Sequence, residues 1–91
     1  MKITEELKEK LEKIKPEKAI LYLDEKGWRL VYSLPLVEVF QIEKGEDFFQ
    51  ADVPVGLQVS NFSSAMCSVI EEIAEYENRS FDEVLFSFTG D

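Results

Sequence analysis

The chain contains no histidine, one cysteine, four glycines and three prolines among its 91 residues. The missing histidine removes the commonest general base and the commonest transition-metal ligand. It also rules out a cysteine–histidine nucleophile within one chain, so Cys67 reads as a small apolar side chain rather than a catalytic thiolate. A lone cysteine forms no internal disulfide, and the framework of a small secreted domain is absent. Four scattered glycines give neither a phosphate-cradling loop nor a dinucleotide fingerprint. The D-x-[DN]-x-[DN]-G pattern of tight calcium loops is missing as well. No apolar run approaches the roughly 18 residues that a membrane span requires. The start, MKITEELKEKLEK, is charged and amphipathic with no apolar signal region behind it. These absences lead to the expectation of a cytoplasmic protein without catalytic residues, cofactor, metal or membrane partner.

Basic charge is also scarce, and it is unevenly placed. Residues 1–18 hold six Lys against five Glu, a net of +1. Residues 19–91 hold Lys26, Arg29, Lys44 and Arg79 against fourteen acidic residues, a net of −10. Such a balance confers solubility, and it excludes direct nucleic-acid binding, which needs Lys and Arg against phosphate. It also provides a field that attracts a basic partner.

What is present is enough for a core. A hydrophobic fraction of 45% with seven Phe marks a folded chain, and the length suits a single domain over 1–91. Thr4 suits a helix N-cap, with Glu5 and Glu6 in the first turn and an apolar stripe of Ile3, Leu7, Leu11 and Ile14; Pro16 closes the segment. A stripe this narrow covers one side of a larger body rather than sustaining a coiled coil. Residues 19–34 read as a hairpin: AILYL and WRLVYSL are β-branched and aromatic, with Asp24-Glu25-Lys26-Gly27 as the turn. In the second strand Trp28, Leu30, Tyr32 and Leu34 alternate onto one face. Pro35 interrupts the pairing, LVEVFQI resumes it, and Glu43-Lys44-Gly45-Glu46 forms a second turn before DFFQADV. The expected class is α+β: an N-terminal helix, an antiparallel meander of three to four strands, one long amphipathic helix and a short C-terminal helix or edge strand.

The long helix spans Asn61 to about Glu77, with Phe62, Met66, Val69, Ile70 and Ile73 at three-and-four spacing and Ser64, Ser68, Glu71, Glu72 and Glu75 opposite. Beyond it, Ser80-x-x-Glu83 is a capping box, and Phe81, Val84, Leu85 and Phe88 follow helical spacing up to Gly90. The alternation of Val84, Phe86 and Phe88 leaves a strand open as the other reading of residues 80–89.

Strand-like LQVS at 57–60, a helix, an Asn-Arg-Ser turn and a capped helix faintly resemble the ribbon-helix-helix family of DNA-binding proteins. The resemblance covers about a third of the chain and rests on element types. It implies a related packing. The DNA-binding role that it also implies meets one Arg against seven acidic residues in 57–91, the reverse of what phosphate needs.

The stretch IEEIAEYENRSFDEVLF, residues 70–86, sets six carboxylates and one arginine among large apolar side chains. Glu71, Glu72, Glu75, Glu77, Asp82 and Glu83, with Tyr76 and Phe81 as aromatic anchors, form the candidate partner-binding set. Opposite charge steers encounter, and aromatics supply tight contact. Glu71, Glu72 and Glu75 alone would hold a hard cation only weakly. The function expected is a non-enzymatic inhibitor or neutraliser that occupies a basic, nucleic-acid-binding surface of another protein, as antitoxins, nuclease immunity proteins and phage anti-defence proteins do. A structural homodimer or an accessory subunit is the alternative.

Overall fold

The computed structural model describes residues 3–56 and 61–90. The strand-like residues 57–60 of the ribbon-helix-helix pattern lie outside the described residues. Within them the chain is α+β, with helix α1 (Glu5–Glu12), helix α2 (Pro16–Glu25), strands β1 (Arg29–Ser33), β2 (Val37–Lys44) and β3 (Asp47–Pro54), then helices α3 (Phe62–Glu77) and α4 (Phe81–Thr89). The sheet is antiparallel in the order β1-β2-β3.

Helix α1 starts as its sequence predicts: the Thr4 Oγ1 accepts a hydrogen bond from the Leu7 amide at 3.2 Å. Its stripe covers the shared core, where Leu11 and Ile14 are buried and Ile3 and Leu7 pack against them.

The expected hairpin over 19–34 does not form, because AILYL belongs to α2. Pro16, read as the end of one helix, occupies the first turn of the next, where its fixed φ and missing N–H cost nothing. Ala19 and Leu23 are fully buried while Leu21 between them is 56% exposed, whereas an alternating strand would have set all three on one face. The supposed turn 24–27 is the exit from this helix. Gly27 takes φ 91°, and the Trp28 amide reaches back to the Leu23 carbonyl at 3.0 Å, the six-to-one bond of a Schellman cap. The need for a positive φ at Gly27 was legible; the structure it serves was not.

The meander therefore has three strands. Its second turn is as expected: Gly45, at φ 64°, and Glu46 connect the closing pair Lys44–Asp47. Leu34 to Leu36 turn the chain between β1 and β2, with the Leu34 amide on the Val37 carbonyl at 2.9 Å. A register shift between Leu30 and Tyr32 breaks the alternation expected of β1. Trp28 is buried, whereas Leu30, Tyr32 and Leu34 are all at least half exposed. Phe40 pairs with Ala51 and Ile42 with Phe49 on the helix-covered face, and Phe40, Phe49, Ala51 and Val53 join the core. On the other face Gln41 donates to Gln50 (2.9 Å) and Gln50 to Asp52 (3.0 Å).

Helix α3 lays Met66, Val69, Ile70 and Ile73, all fully buried, against the sheet, and each such side chain contributes roughly 1.5–3 kcal/mol of burial. It ends at Asn78 in the left-handed conformation, φ 55°, which Asn tolerates better than most residues. Helix α4 resolves the alternative at 80–89 in favour of the helix. The Ser80 hydroxyl accepts from the Glu83 amide and the Glu83 carboxylate from the Ser80 amide, both at 3.2 Å, and Gly90 terminates it at φ 73°. No helix among the described residues is long and apolar enough to cross a membrane.

Candidate functional site

The acidic stretch lies on α3, the Asn78–Ser80 turn and the first turn of α4. The eight side chains expected to meet a partner divide into those that hold the fold together and those that do not.

Glu77 belongs to the first group. Its carboxylate accepts from the Tyr22 hydroxyl on α2 and from the Arg79 guanidinium, each at 2.7 Å. Arg79 also reaches the Glu83 carbonyl and the Ser87 hydroxyl, both at 3.2 Å. The network ties α2 to the α3–α4 corner, and the Glu77 side chain is only 13% exposed. Burial first, and then the neighbouring Glu77, push the Tyr22 hydroxyl up to about 12.

Glu72 supports the sheet. Strand β3 is an edge, and the Glu72 Oε2 accepts the Gln50 amide at 3.2 Å, so that the helix pairs a group left over by the ladder. Glu83 is half of the capping box. Hydrogen bonds from the Ser80 amide and then its hydroxyl hold its carboxyl below the usual range.

The two aromatic anchors are also structural. Tyr76 is partly buried and stands edge-on to both Trp28 and Phe49, with ring centroids 5.4 Å away in each case. Lys44 lies 5.3 Å from the centre of its ring and donates to the Tyr76 carbonyl at 3.0 Å. Phe81 packs against the core, and it lines a hollow of about 210 Å³ between α1 and α4 with Thr4, Leu7 and Lys10.

Glu71, Glu75 and Asp82 are exposed. The Cys67 thiol makes a long 3.8 Å contact to Glu71 and is itself buried. Burial, with Glu71 second, raises the thiol pKa, the opposite of what a reactive cysteine requires. Among the described residues no three of His, Cys, Asp and Glu converge closely enough to hold a metal ion.

One residue of the face was missed. Phe86 is 56% exposed, and it lines a hollow of about 440 Å³ with Arg79, Asp82, Glu83 and Ser87. The signal for it lay in the helical spacing: Phe81, Val84, Leu85 and Phe88 fill the inner face of α4, which leaves Phe86 on the outer one. The acidic face thus carries its aromatic at 86 rather than at 76 or 81. The one base within residues 70–86, Arg79, is bound to Glu77 and to the α4 backbone, while Lys44 lies over Tyr76 and Lys10 lines the hollow beside Phe81 and Asp82.

Comparison with protein-family models, with curated proteins and with solved structures finds no match to this chain.

Proposed function

We propose that this chain is a non-enzymatic, acidic protein-binding module that occupies a basic surface of a partner protein. The class of partner is one that uses that surface to hold nucleic acid, such as a nuclease, so the module acts as an inhibitor or nucleic-acid mimic in the cytoplasm. The observation that carries this reading is the exposed Phe86 beside Asp82 and Glu83, on the same acidic stretch as the exposed Glu71 and Glu75. An exposed apolar anchor beside acidic side chains suits a cationic interface: long-range attraction raises the association rate, and the buried aromatic slows dissociation. Glu71 and Glu75 stand one helical turn apart as like charges, an arrangement that costs a helix about 0.2–0.5 kcal/mol. Removing that repulsion would not harm the fold.

The test is capture of a partner from lysate at low and high salt by the parent chain and by the variant Glu71→Lys, Glu75→Lys, Asp82→Lys. Glu72, Glu77 and Glu83 are left intact because they hold the structure together. The variant is expected to stay folded, melting near or slightly below the parent's temperature because Asp82 lies in the first turn of α4, and to lose the salt-sensitive capture. Equal capture by both proteins would reduce the carboxylates to a solubility role.

A structural role as homodimer or accessory subunit is the second reading, favoured by the exposure of Tyr32, Leu34, Leu36 and Phe48. It predicts an oligomer that depends on protein concentration and is insensitive to salt.

A further inference from the structure

A second surface lies between α2 and the β1 side of the sheet. Ile20 and Leu21 of α2, Leu30 of β1 and Phe40 of β2 line a hollow of about 500 Å³, with Glu17 and Asp24 as the charged residues of its lining among the described residues. Leu21 is 56% exposed and Leu30 51%. Helix α2 buries Ala19 and Leu23 instead, so Glu17, Leu21 and Asp24 share a face turned away from that burial, with Ile20 at its border packed against the core. Two half-exposed leucines on either side of a concavity are more than scattered surface apolarity, and such a patch marks a site of contact.

We infer that this hollow docks an amphipathic helix of a partner protein, one whose apolar residues are bracketed by Lys or Arg. The apolar floor of Ile20, Leu21, Leu30 and Phe40 would take one or two aliphatic or aromatic side chains, as helix-in-groove recognition does. Glu17 and Asp24 lie seven residues apart on α2, about 10 Å along its axis. They therefore match basic residues two turns apart on a helix laid alongside, with the apolar anchors between them. Charge decides among the occupants. A second copy of this chain would bring Glu17 and Asp24 against the same carboxylates, and an anionic membrane would be repelled by the same pair. A basic helix is attracted by both. No residue of α3 or α4 lines the hollow, so this docking does not depend on the acidic face around Phe86.

The experiment is an NMR titration of the isotope-labelled chain with a synthetic amphipathic helix of leucine and lysine whose lysines recur two turns apart. A peptide with Glu in place of Lys is the control. The expected result is amide shifts concentrated at Ile20, Leu21, Leu30 and Phe40, with no shifts from the Glu peptide. Leu21→Ser with Leu30→Ser should weaken binding roughly tenfold or more, as loss of a central anchor does, and the exposure of both side chains leaves the melting temperature near the parent's. Because any cationic peptide is drawn to an acidic chain, two charge-matched variants are compared. Glu17→Gln with Asp24→Asn should weaken binding several-fold more than Glu71→Gln with Glu75→Gln. Equal weakening by the two pairs, shifts centred on α3 and α4, or unchanged affinity in the double serine variant would overturn the inference. A dimer of the free chain abolished by Leu21→Ser would overturn it too, in favour of self-association. None of these outcomes bears on the capture test of the Lys variant on α3 and α4, so the two readings fail separately.

Discussion

Replacing Tyr22 by Phe removes the two hydrogen bonds of its hydroxyl and little else. The ring is retained, so its packing 4.9 Å from Phe88 survives. What is lost is the 2.7 Å bond from the Tyr22 hydroxyl to the Glu77 carboxylate and the longer, 3.4 Å bond that the hydroxyl accepts from the Arg79 guanidinium. Hydrogen bonds to charged groups contribute about 1.5–3 kcal/mol. The site is partly open to water, and Glu77 keeps Arg79 as a partner, so the loss sits at or just below the low end of that range, about 1–2 kcal/mol. For a chain of this size each kcal/mol shifts the melting temperature by roughly 4–8 °C, which places the expected drop near 5–15 °C. Urea unfolding followed by the fluorescence of Trp28, the chain's single tryptophan and 2% exposed, measures the loss directly. A cycle with Glu77→Gln isolates the pair, and a coupling of about 1 kcal/mol is expected. Alkaline pH supplies an independent readout. The Tyr22 hydroxyl titrates at about 12 in the folded chain against 10.0 for an ordinary tyrosine. A pKa raised by folding stabilises the protein fully below the unfolded value and progressively less above it. The contribution should therefore be whole below pH 10 and fade between there and 12, and Tyr22→Phe should flatten that decline. A variant within about 0.3 kcal/mol of the parent, with the same alkaline profile, would refute the assignment of Glu77 to the fold.

Ser80→Ala should destabilise the chain by about 1 kcal/mol, the usual loss of a helix N-cap, read in the same urea assay. Since the Glu83 carboxyl is held below its ordinary range, its share of that stability is present at neutral pH and lost as pH falls through the carboxylate range; Ser80→Ala should lessen this acid sensitivity. Cys67, buried and with its pKa raised, should react slowly with a thiol reagent at neutral pH and quickly in denaturant, and fast native labelling would contradict its placement.

The division between what the chain announces and what folding decides follows the range of the interactions. The Thr4 cap, the Ser80–Glu83 capping box, the turn at Gly45 and the apolar stripe of α3 were legible because each depends on residues within two turns of one another. The helical reading of 80–89 prevailed over the strand for the same reason. The acid excess of residues 19–91 is a property of composition and needs no structure at all. AILYL is a short apolar run that suits either a strand or a buried helix, and its periodicity could not separate the two. Packing separated them, by burying Ala19 and Leu23 while leaving Leu21 between them exposed. The candidate site shows the same limit. Sequence placed six carboxylates near one another, but Glu77 found its partner 55 positions away in Tyr22, and Glu72 found its partner 22 positions away in the amide of Gln50. Which acids remain free for a partner depends on which donors the rest of the chain brings to them. A carboxylate's bonds are made with whatever lies within about 3 Å in space, and that neighbourhood exists only once the helices have packed on the sheet.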